Sequence, residues 1–432
     1  MRLIATKSKL SGSVEIPGSK SHTIRAVAIA SLAEGTSHIR KPLSAEDTLA
    51  AVNAYRLLGA EITCSDDWVV QGVAGRPQVP DGVIDVGNSG TTLYIALGSA
   101  ALVNGTSVFT GDDQIRRRPA GALIGALNDL GARVESTRQN DTAPIIVRGP
   151  MKGGQTTLDS SKTSQYLTSL LINCPLAPKD TVVNVENLVE KPYIEMTLTW
   201  LAEQGVVPDR ENFDRFKIRG GQRYHAFETW IPADFSSATF FMCAAAITKS
   251  EIILTGLDPN DTQADKAVVD IMAAMGAEVE WVSVVDQEGP GGGLRIRGAA
   301  LAGGEFDLSD TPDALPALAV TACFAEGQTR LVNVAQARLK ETDRISVMRE
   351  ELSRMGGDVE ELPDGLVIRG RPLHAASLCG HHDHRVIMAL AVAGLACEGE
   401  TTVDTAEALS VTFPTFVELM RSVGAQIVRE QQ

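Results

Sequence analysis

At 432 residues, 44% of them hydrophobic, the chain has enough apolar side chains for two large cores. A formal net charge of −15 speaks against nucleic acid or an anionic membrane as the main partner, so anionic ligands must be met by locally gathered cations. The opening Met1-Arg-Leu-Ile-Ala-Thr-Lys7 lacks the apolar stretch of an export signal, and no apolar run is long enough to span a bilayer, which predicts a cytoplasmic protein.

The first strong feature along the chain is Pro17-Gly-Ser-Lys-Ser-His-Thr-Ile-Arg25, which runs into the apolar stretch 26–33. A helix starting here aims free backbone N–H groups and a positive dipole end outward, beside Lys20, Ser21 and Arg25, and that combination suits a phosphate. It is not a nucleotide P-loop, because Ser19 stands between Gly18 and Lys20. An ordinary capped helix start has the same look when this segment is taken alone.

Further on, one signature keeps returning: Leu58-Gly59-Ala60, Leu130-Gly131-Ala132, Gln204-Gly205-Val206, Met275-Gly276-Ala277, Met355-Gly356-Gly357 and Val423-Gly424-Ala425. The glycines are spaced by 72, 74, 71, 80 and 68 residues, and one sixth of 432 is 72, so the chain reads as a sixfold internal repeat. Before each glycine lies an amphipathic helix pattern, as in Val268, Ile271, Met272 and Met275. The glycine follows as the residue just past the helix end, where positive φ is needed.

Two strand-like segments then close on a second glycine (72, 149, 220, 298, 370), with turn residues between them such as Pro363-Asp-Gly365, which predicts a hairpin. Each unit also holds an earlier helix, apolar nearly all round and therefore buried, at 22–33, 91–103, 164–174, 236–247, 313–325 and 384–397. The unit is strand, buried helix, strand, amphipathic helix, hairpin. Three units per domain, with their buried helices behind sheets, give two similar α/β domains.

The buried helices begin with the most polar sequences in the chain: Lys20-Ser21, Asn88-Ser-Gly-Thr91, Ser160-Ser-Lys-Thr-Ser-Gln165, Asp234-Phe-Ser-Ser237, Pro312-Asp313 and Asp383-His-Arg385. Arg116-Arg-Arg-Pro119 and Lys340-Glu-Thr-Asp-Arg344 add cations at the approach to two amphipathic helices. Singly, each cluster is also what a helix cap or a wet surface stripe looks like. So many cations at helix beginnings in so acidic a chain is not explained that way, and points to anion sites where the helix starts converge, in a cleft between domains.

His381-His-Asp-His384 invites a metal, but adjacent positions point in different directions and no second ligand cluster accompanies them, so none is expected. The six cysteines (64, 174, 243, 323, 379, 397) form no CxxC pair. Cys174, Cys243 and Cys323 lie in apolar surroundings and are expected to be reduced and buried, with no disulfide framework.

In order and at family spacing, Pro17-Gly-Ser-Lys-Ser21 with Arg25, Gly87-Asn-Ser-Gly-Thr91, Arg116-x-Arg118-Pro119, Ser164-Gln165, Asp234-Phe-Ser-Ser237, Pro312-Asp313, Lys340-Glu-Thr-Asp-Arg344 and Asp383-His-Arg385 resemble the 5-enolpyruvylshikimate-3-phosphate synthase family over the entire chain. The resemblance implies an inside-out α/β barrel architecture: two domains of three βαβαββ units each, with a cleft between them. Domain boundaries follow at 1–18 plus 233–432 for the part carrying both termini, phosphoenolpyruvate and the acid/base groups, and 19–232 for the inserted part on the shikimate 3-phosphate side. It implies enolpyruvyl transfer from phosphoenolpyruvate to shikimate 3-phosphate in the shikimate pathway, by a monomer without cofactor or metal, acting on small molecules and on neither nucleic acid nor membrane.

The same resemblance implies that Lys20, Ser21, Arg25, Thr163, Ser164, Gln165, Asp313, Gln336 and Lys340 bind shikimate 3-phosphate. Phosphoenolpyruvate then falls to Lys20, Asn88, Gly90, Arg118, Gln165, Arg344 and Arg385. Asp313 is implied as the base for the attacking hydroxyl, Glu341 as the group handling the methylene proton, and Lys20 as a third catalytic group.

Neither half carries all the cations, so shikimate 3-phosphate is expected to close the domains. Four positions depart from the commoner family pattern: Tyr94 where many members have Arg, Glu190 where a phosphate-binding Ser is common, Gln336 for Asn and Val411 for Lys. A carboxylate at 190 would repel a phosphate unless turned away or paired with Lys191 or Arg25.

The rival readings are the sister transferase acting on UDP-N-acetylglucosamine and a non-catalytic paralogue that binds phosphometabolites. The first usually carries a Cys in the loop that here reads Gly111-Asp-Asp-Gln-Ile-Arg-Arg-Arg-Pro119. The second has no need of Asp313, Lys340 and Glu341 together.

Overall fold

The computed structural model describes residues 1–284 and 292–431. By contact it divides into two compact units, Met1–Pro17 with Pro232–Gln432, and Gly18–Ile231. The description below takes each unit by itself.

The inserted unit holds helices α1 (Lys20–Leu32), α2 (Glu46–Leu57), α3 (Gly90–Ala100), α4 (Gly121–Asp129), α5 (Gln165–Asn173) and α6 (Lys191–Glu203). The other holds α7 (Phe235–Ile247), α8 (Ala267–Ala274), α9 (Leu315–Cys323), α10 (Arg344–Arg354), α11 (His384–Gly394) and α12 (Phe416–Ser422). The odd-numbered helices are the all-round apolar ones. Every residue of α3, α7, α9 and α11 is buried, because each such helix has neighbouring helices on some sides and sheet on the others. The even-numbered helices bury one stripe only: in α8, Val268, Val269 and Met272 are buried.

Each of the six sheets has four strands in one order. In one of them Ile84–Asp85 runs parallel to Thr106–Thr110, the two joined by a crossover through α3, and Thr106–Thr110 pairs antiparallel with Ile145–Arg148, which forms a hairpin with Arg133–Ser136. The six glycines that end the amphipathic helices all have positive φ, from 73° to 103°, so any other residue there would be strained. The second glycine lies where the hairpin returns against the end of the buried helix. A Cβ on Gly298, for instance, would come within 2.5 Å of the Ala246 carbonyl oxygen.

Three sheets are closed by strands from far along the chain. Glu228–Trp230 pairs parallel with Thr36–Arg40, and Ser13–Glu15 with Glu251–Leu257. The sixth hairpin is completed not by a segment after Gly424 but by Arg2–Thr6, which lies between Glu400–Val403 and Gln426–Glu430, antiparallel to both. That corrects the picture of six copies laid out whole, since the last copy borrows its final strand from the start of the chain. The repeat pattern, two-unit α/β character and buried helices are otherwise as the sequence predicts.

All six cysteines are free, and Cys174, Cys243, Cys323 and Cys397 are buried. Burial pushes the thiols of Cys174, Cys243 and Cys323 up to about 12, where they are poor nucleophiles.

Candidate active site

The polar residues at the helix starts gather within each unit, in two groups of contacts in the inserted unit and one in the other. In the inserted unit Lys20, the first residue of α1, pairs with Asp47 of α2 (Nζ to Oδ2, 3.1 Å). The Asp47 carbonyl accepts from Thr92 Oγ1 in the first turn of α3. At the head of that helix, a Cβ added to Gly90 would lie 2.6 Å from Arg118 Nη1, so the bare backbone is what lets the guanidinium settle there.

Two tyrosines brace the loop that carries Arg118. Tyr94 Oη and Tyr166 Oη both donate to the Pro119 carbonyl, at 2.9 and 2.5 Å, and the rings meet edge to face with centroids 4.9 Å apart. Asn88 ties down the other end of the loop, its amide donating to Asp112 Oδ2 and Gln114 Oε1 at 2.6 Å each. Gly90→Ala should displace the Arg118 guanidinium without unfolding the chain, because the end of a flexible side chain is what must yield. The affinity for an anion held by that guanidinium is expected to fall about 10–100-fold with little change in Tm, as an anion titration and a thermal melt would show.

A second group of contacts in this unit centres on Arg25. Its guanidinium is fully buried and donates to Thr197 Oγ1 (3.0 Å), the Ser21 carbonyl (3.0 Å), the Tyr193 carbonyl (3.2 Å) and Thr168 Oγ1 (3.4 Å). All four acceptors are neutral, and burial lowers the arginine to about 10. Thr163 and Ser164 are buried at the start of α5, where the Gln165 amide donates to Thr163 Oγ1 (3.2 Å). Glu190 reaches the same place. It is 2% exposed, and its Oε2 accepts from Ser164 Oγ (3.2 Å), Ser164 N (3.4 Å) and Thr163 Oγ1 (3.5 Å).

In the unit that carries both termini, the centre is Arg344, the first residue of α10, 1% exposed. Its Nη1 donates to Asp313 Oδ1 (2.7 Å), its Nη2 to Glu341 Oε2 (2.5 Å), and its Nε to Asp383 Oδ2 (2.8 Å), with a further bond from Nη2 to Asp383 Oδ1 (3.2 Å). Burial alone would favour losing the charge, but Asp383, Glu341 and Asp313 outweigh it and hold the guanidinium cationic. Arg385 reaches the other oxygen of Asp313 (Nη2 to Oδ2, 3.0 Å), and Lys340 Nζ stands 3.9 Å from Oδ1. Asp313, just ahead of α9, therefore sits under three cations.

Asp383 caps α11, accepting from the Arg385 amide at 2.9 Å, and so fixes the residue that carries the second guanidinium. Asp265 lies behind Asp313. It is buried, accepts from Ser236 Oγ and Thr311 Oγ1, and its carboxyl is held above the ordinary range by burial and by the Asp313 charge. His384 is buried with Nε2 unbonded. Burial lowers its pKa to about 3, so it is a neutral ring beside the arginines.

A scan against family models matches residues 4–420 to EPSP synthase (3-phosphoshikimate 1-carboxyvinyltransferase). The 3-phosphoshikimate 1-carboxyvinyltransferase of Ruminiclostridium cellulolyticum is 54% identical over 428 residues, 99% of either chain. The chain belongs to the EPSP synthase family. The protein of the same name from Methanocella arvoryzae is 46% identical over 424 residues, 98% of each. A solved EPSP synthase from Acinetobacter baumannii superposes over the full length of both chains with a TM-score of 0.85 at 29% identity.

Set against the family pattern, the four departures resolve individually. Tyr94 donates its hydroxyl to the Pro119 carbonyl and so braces the loop of Arg118. Gln336 is buried with its amide on the Ser309 carbonyl (2.8 Å), and Val411 is buried. Glu190 is turned inward onto Ser164 rather than away from it. Among the described residues no group of three or more His, Cys, Asp or Glu could hold a metal. His381 instead lies against Glu351, Nε2 to Oε1 at 3.0 Å.

Asp47, Asp265, Thr168, Tyr193 and Thr197 were not expected from the sequence. Each is an ordinary helix or turn residue whose partner lies far along the chain, and only the PYIEMT stretch beside the suspect Glu190 offered a hint for the last two.

Proposed function

We infer that the protein transfers the enolpyruvyl group of phosphoenolpyruvate to the 5-hydroxyl of shikimate 3-phosphate and releases phosphate. The observation that carries the reading is Asp313, a carboxylate held at the start of α9 with Arg344 and Arg385 on its two oxygens and Lys340 close by. A binding protein needs cations for its anions. It does not need a half-buried carboxylate base set among them, with Glu341 on the same arginine.

In the addition step the hydroxyl oxygen bonds to C2 of phosphoenolpyruvate while its proton passes to Asp313 and a proton is delivered to C3. In the elimination step the C2–O bond to phosphate breaks, C3 gives up a proton, and the double bond is restored. Glu341 is the group we assign to the C3 proton in both directions, and Lys20 supports the charge that develops on the leaving phosphate. Arg118, Arg344 and Arg385, with Asn88, the Gly90 backbone and Gln165, hold phosphoenolpyruvate. Ser21, Arg25, Thr163, Ser164, Gln165, Gln336 and Lys340 hold shikimate 3-phosphate. The reading draws on residues of both units.

We also take the enzyme to work as a monomer in the cytoplasm, its two substrates being small soluble metabolites. Phosphate release assayed with phosphoenolpyruvate and each acceptor tests the assignment. Turnover is expected with shikimate 3-phosphate; turnover with UDP-N-acetylglucosamine instead, or with neither, would overturn it.

A further inference from the structure

Glu190 is a buried carboxylate that serves no helix of its own. It stands at the start of α6 in the left-handed region (φ 55°, ψ 44°), and its side chain makes no capping bond to that helix. This backbone conformation is one that side-chain-bearing residues adopt at a cost, and here it turns the carboxylate into the start of α5. There Oε2 takes the Ser164 amide, the Ser164 hydroxyl and the Thr163 hydroxyl. Ser164, the residue that caps α5, makes no side-chain bond to its own helix, so its hydroxyl is left to this carboxylate. The nearby Arg25 is buried on neutral oxygens only, two of them Tyr193 O and Thr197 Oγ1 in the first turns of the helix that Glu190 begins.

These are the features of an anion seat already filled by an anion from the chain itself. Backbone and hydroxyl donors at a helix start do not distinguish a carboxylate from a sulfate or a phosphate. Two anions cannot share them without a cation between, because like charges in contact are strongly repelled.

We propose that Glu190 is an internal competitor that sets anion specificity: it holds the donors of Thr163 and Ser164 against free inorganic anions, and gives way only to a phosphate carried by the whole shikimate 3-phosphate molecule. The cyclohexene hydroxyls and carboxylate of that substrate bring contacts that inorganic phosphate lacks, and those contacts offset the work of displacing Glu190. Inorganic phosphate, a product of the reaction, is thereby kept from occupying the acceptor seat. The proposal rests on the reading that this place receives the phosphate of shikimate 3-phosphate.

The test is inhibition by inorganic sulfate and by inorganic phosphate, measured against varied shikimate 3-phosphate with phosphoenolpyruvate saturating, in the wild type, E190Q, E190S and S164A. Removing the charge at 190 should lower the inhibition constant of both anions roughly tenfold, and lower the KM for shikimate 3-phosphate in the same sense, the change falling on KM rather than kcat. A carboxylate that merely stabilises the start of α5 would instead lower Tm in both variants and leave the inhibition constants where they were, and that result overturns the proposal. So does a KM that rises in E190Q and E190S. S164A separates the underlying reading from the proposal: if it leaves the KM for shikimate 3-phosphate unchanged, the seat has been misplaced, whereas a raised KM with unaltered anion inhibition at 190 condemns the competitor alone.

Discussion

Asp313→Asn is expected to lower kcat about 10²–10⁴-fold, the usual contribution of a positioned general base. The side chain keeps its shape but can no longer take the proton of the attacking hydroxyl, and its amide would point N–H groups at one of two guanidinium groups, Arg344 at 2.7 Å or Arg385 at 3.0 Å. Saturating substrate should not restore the rate, because the loss lies in the chemical step. Steady-state turnover with both substrates above KM, beside a thermal melt to show the variant folded, checks this; a kcat within tenfold of wild type would remove Asp313 from the role of base.

Arg344→Met should be the most damaging single change, since it strikes stability and catalysis together. The guanidinium is the shared partner of Asp313, Glu341 and Asp383, and the last of these is 0% exposed. Removing one partner of a buried pair costs about 3–5 kcal/mol, through the charges left behind. For a unit of this size that is a Tm loss on the order of 10 °C. Arg344→Lys keeps the charge but loses the planar fork that reaches three carboxylates at once. It should recover most of the Tm while kcat/KM for phosphoenolpyruvate stays down by about 10²–10³-fold, a loss of about 3–4 kcal/mol in transition-state binding. Calorimetry and kinetics on the two variants separate the structural share of Arg344 from the catalytic one. If lysine restored both, the fork would have no special part in the reaction.

Much of the fold is legible before any coordinates, and for a physical reason. The six helix-ending glycines must have positive φ, and the six buried helices must be apolar on all faces, so both leave marks that repeat along the chain. The candidate site is legible to the extent that helix starts advertise themselves through their caps and cations: Lys20, Asp313, Arg344 and Arg385 all stand there. What is not legible is the pairing. Nothing near Asp383 says that it grips Arg344 thirty-nine residues earlier in the chain, and nothing in the acidic turn before α8 says that Asp265 backs Asp313. The inward turn of Glu190 depends on a backbone conformation that the letters Glu-Lys-Pro-Tyr do not declare. The strand Arg2–Thr6 gives no sign that its neighbours lie at 400–403 and 426–430.

That last arrangement governs the order in which the molecule can be finished as it leaves the ribosome. Gly18–Ile231 is one unbroken stretch, so its three sheets have every strand available by the time Trp230 emerges. The other unit opens with Arg2–Thr6, whose neighbours come only at 400–403 and 426–430, whereas Ser13–Glu15 finds its partner as soon as Glu251–Leu257 has been made. Translation therefore builds the inner half first and holds the opening strand as the closing stitch, and removing residues 426–430 would leave Arg2–Thr6 without one of its two neighbours.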